Sequence, residues 1–360
     1  MIMKQLSEIL SSTEVLSFTA AGEVEITGLT YDSRKVEAGN CFFAVRGTQS
    51  DGHNFIPKAI EAGAAVIVCE QLPEQLNPAV SYVVVKDTNA AMADIAAAYY
   101  DNPSHELNLV GVTGTNGKTT VATLLYDLYR KMGYRAGLIS TVVYRIDEKE
   151  IPSTHTTPDA IRLNAMLREM VDAGCDYCFM EVSSHSLVQD RVRGLKFRGA
   201  MFTNLTHDHL DYHGTFKEYI RAKKCLFDTL PKSAFALVNV DDRNGEVMVQ
   251  NTRAKVSRYS LRQMADFRCK VLEMLFDGML LRVNSHDVWV KFLGRFNAYN
   301  LLCVYGAAVL LGSDEQEVLQ ALSALTSVSG RFEPVRSQGG ITAIVDYAHT
   351  PDALENVIAT

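Results

Sequence analysis

The chain has 360 residues, of which 47% are hydrophobic and 21% are charged, as is typical of a globular protein with two or three domains. The formal net charge of −7 argues against a general nucleic-acid-binding protein, but a few local cations or backbone donors could still hold an anionic substrate. The seven scattered cysteines, the lack of a signal peptide and the lack of any apolar stretch near ~20 residues predict a cytoplasmic protein without membrane insertion.

The N-terminal part of the chain contains short strand patterns separated by turn signals. Four apolar residues at 65–68 predict a buried strand, and helices are predicted at 55–62 and 90–100. The second helix ends before Asp101-Asn102-Pro103, a sequence that indicates a domain boundary. We therefore predict that the first domain covers residues 1–105.

Strand and helix patterns alternate in the middle of the chain. Strands are predicted at 107–112, 135–139, 177–182, 200–205 and 234–240, and helices at 119–132, 158–173 and 216–230. Thr157 is expected to be the N-cap of the helix that begins with Pro158, since both residue types favour those positions. This alternation predicts an α/β fold with a mostly parallel sheet and helices on both faces.

The C-terminal third begins with a β-rich stretch at 255–293. The predicted elements are a strand at 288–292, helices at 297–311 and 315–325, a strand at 342–345 and the start of a helix at 351–356. We expect a second domain over residues 106–330. The last residues, 331–360, are expected to be the opening of a third α/β domain.

The sharpest local pattern is the segment GVTGTNGKTT from Gly111 to Thr120, between a predicted strand and a predicted helix. Glycines let the backbone turn tightly and point its N–H groups at a phosphate, and the helix N-terminus adds a favourable dipole. Lys118 can reach the β- and γ-phosphates of a nucleotide, and the Thr119 hydroxyl suits Mg²⁺. The segment departs from the standard phosphate-loop pattern at Val112, where that pattern has glycine. A glycine-rich turn with an incidental lysine is the alternative, but the position at a strand end favours a phosphate loop.

Two further candidates follow predicted strands. Glu181 lies at the carboxyl end of one strand, and His209 lies in a histidine-rich segment after the next. Ligands of open α/β sheets bind outside the carboxyl ends of the strands, so the phosphate loop, Glu181 and His209 should converge. A carboxylate, an imidazole and a threonine hydroxyl could together hold Mg²⁺ beside a nucleotide. A paired surface carboxylate and a polar loop are the alternatives for residues of these types.

The same segment, His207-Asp208-His209-Leu210-Asp211, resembles the start of the H-x-H-x-D motif of metallo-β-lactamase-type hydrolases. That motif needs a histidine directly after the last aspartate, and this chain has Tyr212 there. A metal hydrolase would also leave the phosphate loop unexplained. The sequence therefore favours a nucleotide-dependent enzyme.

Taken together, these segments resemble the Mur ligase family and, within it, the UDP-N-acetylmuramoyl-L-alanyl-D-glutamate ligases. Besides the phosphate loop, the matching segments are 32–36, 51–52, 155–158, 181–191, 203–214, 222–223, 297–300, 330–331 and 346–352. The resemblance implies an N-terminal domain that binds the UDP-muramyl peptide and a central ATP-binding domain. It also implies that the third domain is Rossmann-like.

The resemblance assigns roles to individual residues. The nucleotide would be held by Gly114, Thr115, Asn116, Gly117, Lys118, Thr119 and Thr120, together with Asn300, Arg331 and Asp346. The UDP-linked substrate would be held by Tyr31, Ser33, Thr48, Gln49, Ser50, His155, Thr156, Thr157, Ser183, Gln189 and Arg191. Mg²⁺ would be held by Thr119, Glu181, His209 and Lys223, and the catalytic residues would be Lys118, Lys223, Glu181 and His209.

Lys223 matches a lysine that the family carries as a carbamate. A bare ammonium group would oppose a nearby Mg²⁺, whereas addition of CO₂ turns the side chain into a carboxylate-like ligand. Its neighbour Lys224 lies one position further round the predicted helix and should point elsewhere. Without the resemblance, Lys223 would be interpreted as a solvated helix lysine.

The resemblance implies an ATP-dependent ligase of peptidoglycan biosynthesis. It would add meso-diaminopimelate or L-lysine to the D-Glu of UDP-N-acetylmuramoyl-L-Ala-D-Glu through an acyl phosphate, using ATP, Mg²⁺ and the carbamate of Lys223. The alternatives are another Mur-type ligase step, a small-molecule kinase with the same phosphate loop, or a substrate-binding fragment that is inactive without more of its C-terminal domain. The incoming amino acid and the oligomeric state stay open at this point.

Overall fold

The computed structural model describes residues 2–20, 22–47, 50–206, 208, 210–336 and 341–360. The chain divides into two compact units. The first unit consists of Met1–Glu106, Pro158–Glu169 and Val188–Leu195, and the second of Leu107–Thr157, Met170–Leu187 and Lys196–Thr360. The division into three domains stays a prediction.

The first unit is built on a five-stranded sheet. The strands of the unit are β1 (Lys4–Gln5), β2 (Val15–Thr19), β3 (Glu25–Ile26), β4 (Gly28–Thr30), β5 (Asn40–Phe43), β6 (Val66–Cys69) and β7 (Ser81–Val85). Its helices include α1 (Leu6–Ile9), α2 (Ile56–Glu61) and α3 (Thr88–Tyr99). The strand order is β2-β7-β6-β5-β4, with β4 to β7 parallel and β2 antiparallel to β7, while β1 and β3 form a separate pair.

Both faces of this sheet are buried, as is usual for parallel strands. Val66 and Val68 of β6 pack in a cluster with Ile95 of α3, whereas Ile67 between them packs with Ile56 of α2 in a second cluster. The alternation follows from the two-residue period of a strand. Continuous apolar runs, rather than alternating ones, are therefore what the sequence shows at β6.

The second unit contains an eleven-stranded sheet. Its strands are β8 (Asn108–Thr113), β9 (Ala136–Ile139), β10 (Val143–Ile146), β11 (Lys149–Pro152), β12 (Tyr177–Glu181), β13 (Gly199–Phe202), β14 (Phe235–Asn239), β15 (Lys255–Ser260), β16 (Phe267–Leu275), β17 (Gly278–Val283) and β18 (His286–Val290). They are ordered β11-β10-β9-β12-β8-β13-β14-β15-β16-β17-β18. All pairs from β9 across to β16 are parallel, and the pairs outside them are antiparallel.

The remaining helices are α4 (Lys118–Lys131), α5 (Ala160–Asp172), α6 (Ser184–Val188), α7 (Leu210–His213), α8 (Phe216–Asp228), α9 (Gly245–Met248), α10 (Arg295–Leu310), α11 (Glu315–Ser323) and α12 (Pro351–Ile358). An antiparallel pair, β19 (Glu333–Arg336) and β20 (Thr342–Val345), lies near the end of the chain. Helices α4 and α10 bury Leu124 and Leu302 in one core with Phe179 and Leu237 of the sheet. The α/β class and the mostly parallel sheet predicted from the sequence are confirmed.

One local expectation was wrong, and one element was missed. Thr157 does not cap α5, because its hydroxyl donates to the carbonyl of Glu181 at 2.8 Å and accepts from the N–H of Ser183 at 3.2 Å. The helix is instead capped by Asp159, whose carboxylate accepts from the N–H of Arg162, the third residue of α5, at 2.9 Å. The sequence also gave no hint of the hairpin formed by β10 and β11.

Among the described residues, no helix combines the length and the apolar character that a membrane crossing would require.

Candidate active site

The phosphate loop connects β8, which ends at Thr113, to α4, which begins at Lys118. Gly114 and Gly117 have φ angles of +150° and +88°, which side-chain-bearing residues rarely adopt. A Cβ atom on Gly114 would lie 2.0 Å from the Thr203 hydroxyl, and one on Gly117 would lie 2.6 Å from the Asn300 side-chain oxygen. Both glycines are therefore required by the backbone conformation and by the space around the loop.

The loop is fixed by the segment that follows the adjacent strand, β13. The Thr115 N–H donates to the Asn204 carbonyl at 2.8 Å, and the Asn116 N–H donates to the Asn204 side-chain oxygen at 2.9 Å. The Thr203 hydroxyl donates to the Asn116 carbonyl at 2.6 Å. These bonds set the course of the loop.

Two lysine ammonium groups meet at this loop. Lys118 Nζ donates to the carbonyl oxygens of Gly114 at 3.0 Å and Thr115 at 2.7 Å. Lys223, which extends from α8 and is only 1% exposed, donates to the same Gly114 oxygen at 2.8 Å. Two lysine side chains therefore share one neutral acceptor, and an anion placed beside them would be favoured.

The electrostatics of the two lysines reflect this arrangement. Burial lowers the pKa of Lys118, while the carboxylates of Glu181 and Asp208 partly oppose the effect. Burial, reinforced by the charge of Lys118, lowers the pKa of Lys223 well below 10.5. The amine of Lys223 is thus the group most easily deprotonated at the loop.

Tyr219 lies next to both the loop and Lys223. Its hydroxyl is 3.1 Å from the Thr115 hydroxyl, and Lys223 Nζ lies 4.6 Å from the centre of its ring. An aromatic face attracts a cation but provides no negative charge. The contact therefore orients Lys223 without neutralising it.

Glu181 ends β12, the neighbour of β8 on the opposite side from β13, and is 1% exposed. One carboxylate oxygen accepts from the Thr141 N–H at 2.7 Å and the other from the Thr141 hydroxyl at 3.2 Å. Each oxygen keeps a further lone pair. A buried carboxylate with this remaining capacity fits a hard cation such as Mg²⁺.

His209 lies outside the described residues, so its expected place at the metal site stays a prediction. In the described part of the chain, no three His, Cys, Asp or Glu side chains are grouped as metal ligands. Asp208, which is described, interacts electrostatically with both Lys118 and Lys223. The sequence interpretation gave Asp208 no role at this site.

A cavity of about 350 Å³ lies beside the phosphate loop. It is lined by residues expected to bind the nucleotide and by others that were not expected, among them Asn116, Gly117, Thr120, Asn204, Asn239, Asp241, Phe296, Tyr299, Asn300, Arg331, Asp346 and Tyr347. The lining is polar at the loop, and Phe296, Tyr299 and Tyr347 add aromatic rings to it. Such a lining suits a ligand with a charged end and a flat ring.

Arg331 connects this cavity to the loop. Its Nη2 atom donates to the Thr119 hydroxyl at 3.0 Å, and its guanidinium lies 4.8 Å from the centre of the Tyr347 ring. Its Nε atom is buried and makes no hydrogen bond to the described residues. Asp346 accepts from the N–H groups of Phe332 at 2.7 Å and Ala348 at 2.6 Å, which fixes the turn around it.

Four expected substrate residues lie in the second unit near Glu181. Thr156 accepts from the Thr141 hydroxyl at 3.1 Å, so Thr141 contacts both Thr156 and Glu181. Thr157 and Ser183 are joined by the bond described above. The backbone of His155 is held by the Tyr144 hydroxyl, while its side chain is exposed.

The other expected substrate residues lie in the first unit. The Arg191 guanidinium donates to the Gln189 side-chain oxygen at 3.0 and 2.6 Å. Tyr31 is 46% exposed, and its pKa is raised by partial burial and by Asp159, while Arg191 opposes the shift. Ser33 is half-buried and Ser50 is exposed. Thr48 and Gln49 lie outside the described residues.

Comparison with known proteins identifies the family. Residues 112–308 match the model of the Mur ligase middle domain, and residues 25–100 match that of the Mur ligase family catalytic domain. The chain belongs to the Mur ligase family. A relative from Bacteroides thetaiotaomicron, named UDP-N-acetylmuramoyl-L-alanyl-D-glutamate--2,6-diaminopimelate ligase, is 57% identical over 98% of this chain and 73% of its own length. A protein of the same name from Phocaeicola vulgatus is 58% identical over the same shares.

Solved structures agree with this assignment. A structure of a UDP-N-acetylmuramoyl-L-alanyl-D-glutamate--2,6-diaminopimelate ligase matches with a TM-score of 0.85 and 30% identity, covering 99% of this Mur ligase and 74% of that chain. The MurF ligase of Thermotoga maritima in complex with ADP matches with a TM-score of 0.65, covering 92% and 73% of the two chains. At 19% identity, this second likeness concerns the fold alone.

The sequence of this Mur ligase did not reveal the residues that position the expected site residues. Thr141 binds the carboxylate of Glu181, Asn204 binds the loop, and Tyr219 lies under Lys223. Thr141 and Asn204 each come just after a parallel strand, β9 and β13, so position at a strand end was the available signal. Tyr219 lies four residues before Lys223 on α8, which is the spacing of helical neighbours.

Proposed function

We propose that this Mur ligase joins diaminopimelate to the D-Glu carboxylate of UDP-N-acetylmuramoyl-L-Ala-D-Glu, using ATP, in peptidoglycan biosynthesis. The observation that carries the proposal is the convergence of the buried Lys223 and the half-buried Lys118 on the Gly114 carbonyl, next to a phosphate loop and the buried Glu181. Such a site suits a reaction in which several negative charges must be brought together. The names of the relatives support the choice of substrate and of diaminopimelate over L-lysine.

ATP would place its phosphates on the loop from Gly114 to Thr120. Lys118 currently donates to carbonyls of its own loop and would turn to the phosphates, a stronger, charge-assisted interaction. Arg331, with its unsatisfied Nε, would add a second cation, and Asn300 and Asp346 would line the rest of the nucleotide site. The ADP bound in the structure of the T. maritima MurF ligase supports a nucleotide in this fold.

Mg²⁺ would be held by Thr119, Glu181, His209 and a modified Lys223. When bound, the ion neutralises phosphate charge and polarises the phosphoryl group. The described residues fit this role because Glu181 is buried and its carboxylate is oriented by the N–H and the hydroxyl of Thr141. Thr119 would exchange its contact with Arg331 for one with the ion.

Lys223 is proposed to be carbamylated. Its lowered pKa favours the neutral amine, which can add to the carbon of CO₂ and release one proton to solvent. The product is an anion beside Lys118, so an amine that the charge of Lys118 disfavours as a cation becomes a group that attracts Lys118. Metal ligation by the new carboxylate would stabilise the modification further.

The chain's own residues then position the two anionic reactants. The D-Glu carboxylate attacks the γ-phosphorus, ADP leaves, and the amine of diaminopimelate displaces phosphate from the acyl phosphate to form the amide. Lys118 and the loop N–H groups offset the charge that develops on the phosphoryl oxygens. Thr156, Thr157, Ser183 and His155 are proposed to hold the muramyl dipeptide near Glu181.

The first unit is proposed to hold the UDP end of the substrate. Tyr31, Ser33 and Ser50, with Thr48 and Gln49, would contact the nucleotide portion, and Arg191, oriented by Gln189, would bind a carboxylate or phosphate. A cytoplasmic location belongs to the same proposal. All seven cysteines are free thiols, which favours a reducing compartment.

Calorimetric titration tests the substrate assignment. We expect UDP-N-acetylmuramoyl-L-Ala-D-Glu to bind the protein at least tenfold more tightly than the same compound without D-Glu, about 1.4 kcal/mol or more. Equal affinity for the two compounds would move the protein to a neighbouring ligase step. Binding of neither, with ATP turnover that yields a phosphorylated product and needs no amine, would favour a kinase instead.

A further inference from the structure

The antiparallel end of the eleven-stranded sheet carries an apolar tip. Where β16 turns into β17, the consecutive residues Met274, Leu275 and Phe276 are 42%, 48% and 91% exposed. Large exposed apolar side chains in a row at the end of a hairpin are costly in water and indicate an interaction surface. Leu275 is opposite Gly278 in the register, so these residues sit at the very end of the hairpin.

A cationic groove of about 730 Å³ runs along the same hairpin and includes Met274 in its lining. Five of its lining residues are cations, Arg262, Arg268, Lys270, Arg282 and Arg295, and none is Asp or Glu. This concentration of positive charge is unexpected in a chain of net charge −7. A field of one sign on a surface attracts ligands of the other sign.

The strand register places two cations of the groove opposite each other. Lys270 on β16 lies directly opposite Arg282 on β17, and like charges in that relation destabilise a sheet. Arg282 gains partial compensation from Asp287 on β18, at 2.7 Å. Arg268 contacts the sulfur of Met264 at 3.1 Å, and Met264 is itself 78% exposed. Cations and exposed apolar groups are therefore interleaved on one surface.

The only tryptophan of the chain lies on the same hairpin region. Trp289 of β18 is opposite Leu280, and its ring is 2.9 Å from where a Cβ atom on Gly278 would be. The indole thus covers the backbone next to the tip. Tryptophan favours the interface between water and a lipid bilayer, because its ring is apolar and its N–H is polar.

We propose that this surface, comprising the Met274–Phe276 tip and the five-cation groove, docks the protein peripherally on a bilayer that contains acidic lipids. The tip would enter the headgroup region while the cations contact lipid phosphates. A small soluble anion would use the cations but leave the apolar tip in water. Glu273 and Asp277 flank the tip and limit the affinity, so the docking is weak and reversible.

Sedimentation with lipid vesicles tests the proposal. We expect the protein to bind vesicles of phosphatidylglycerol and phosphatidylcholine, and not vesicles of phosphatidylcholine alone. Binding should shift Trp289 emission to shorter wavelength and should be lost near 0.5 M salt, where the screening length falls to roughly 4 Å. Absence of binding to the acidic vesicles would overturn the proposal.

Matched substitutions separate the tip from the groove. We expect Phe276→Ser to weaken vesicle binding about tenfold by loss of apolar burial, and Lys270→Gln to weaken it about fivefold by loss of one cation. The controls are Phe18→Ser and Lys58→Gln, at exposed positions in the first unit, which should leave binding unchanged. Arg262 and Arg295 are left intact because they also line the nucleotide cavity.

Two outcomes would contradict the docking surface even if vesicles bind. Equal effects of the hairpin variants and their controls would show that another surface is responsible. Displacement of the protein from vesicles by a few millimolar glycerol 3-phosphate would show a site for free anions rather than for a bilayer. Circular dichroism of each variant confirms that it is folded before its binding is compared.

Discussion

The two units each contain a group of charged and polar side chains, but in different surroundings. In the second unit these side chains lie at the phosphate loop. In the first unit they form the Tyr31 cluster, which consists of Tyr31, Asp159, Gln189 and Arg191. At the loop, the buried Lys223 and the half-buried Lys118 donate to one neutral carbonyl, and the pKa values of both are lowered. In the Tyr31 cluster the groups are half-buried or exposed, and Arg191 already has a neutral side-chain partner. At the phosphate loop, where the chemistry is proposed, the surroundings therefore change the protonation of the lysines. In the Tyr31 cluster, where substrate binding is proposed, they only orient the side chain of Arg191.

The largest effect is expected from Lys223→Ala. Loss of the proposed carbamate should reduce ligase activity at least about 100-fold, because one ligand and one charge of the reacting site disappear. A short carboxylic acid such as formate should restore part of the activity by occupying the space. Lys224→Ala is the control, since Lys224 pairs with Asp228 at 2.5 Å on the same helix and should matter little. Loss without rescue would leave the carbamate unsupported.

The second effect concerns the shape of the loop. Gly117 and Gly133 have the same φ of +88°, but a Cβ atom has open space at Gly133 and meets Asn300 at Gly117. Gly133→Ala should cost about 1 kcal/mol of unfolding free energy through backbone strain, and Gly117→Ala about 2 kcal/mol more. Thermal unfolding measures both, and nucleotide titration should show loss of ATP binding only for Gly117→Ala. Equal costs for the two variants would mean that the contact with Asn300 is easily relieved.

These two regions also show what the sequence could predict. The phosphate loop was predictable because a strand, a glycine-rich turn and a helix are adjacent in the chain. The position of Glu181 was predictable because it ends a parallel strand. The role of Thr157 as a helix cap was predicted wrongly, because its hydroxyl is taken by the Glu181 carbonyl, 24 residues away in the chain. Side-chain partners of that kind depend on tertiary packing, which no local pattern contains.

The hairpin of β10 and β11 was missed for a different reason. Each strand has only four residues, and polar residues such as Arg145, Lys149 and Glu150 interrupt the apolar pattern. Its order comes from cross-strand pairing, including the ion pair of Arg145 with Glu150 at 2.6 Å. A period-two pattern needs more residues than this to be distinguished from a loop.

The third effect tests the Tyr31 cluster. Arg191→Gln should weaken binding of the UDP-linked dipeptide about tenfold, by loss of a charge-assisted hydrogen bond, and should leave ATP affinity unchanged. Arg193→Gln is the matched control in the same segment, because Arg193 pairs with Asp94 at 3.1 Å. Calorimetry measures both ligands. A loss of ATP affinity in Arg191→Gln would contradict separate roles for the two regions.

The smallest expected effect is a change in how the free energy of unfolding depends on pH. Since the pKa of Lys223 lies well below 10.5 in the folded chain, the unfolded chain binds more protons between the folded and unfolded pKa values. Stability should therefore rise with pH across that window and fall as pH decreases through it. Lys223→Met should flatten this slope and stabilise the protein at the acidic end, measured by denaturant unfolding in CO₂-free buffer. An unchanged slope, matching that of Lys224→Met, would show that Lys223 does not titrate in this window.

The most direct test of the proposed reaction follows oxygen from the substrate into phosphate. The protein is supplied with ATP, diaminopimelate and UDP-N-acetylmuramoyl-L-Ala-D-Glu whose D-Glu carboxylates carry ¹⁸O. Attack of the carboxylate on the γ-phosphorus, followed by amide formation, predicts one ¹⁸O atom in each phosphate released. Amide product accompanied by phosphate without ¹⁸O would contradict the acyl-phosphate route and the roles proposed for Lys118 and Lys223.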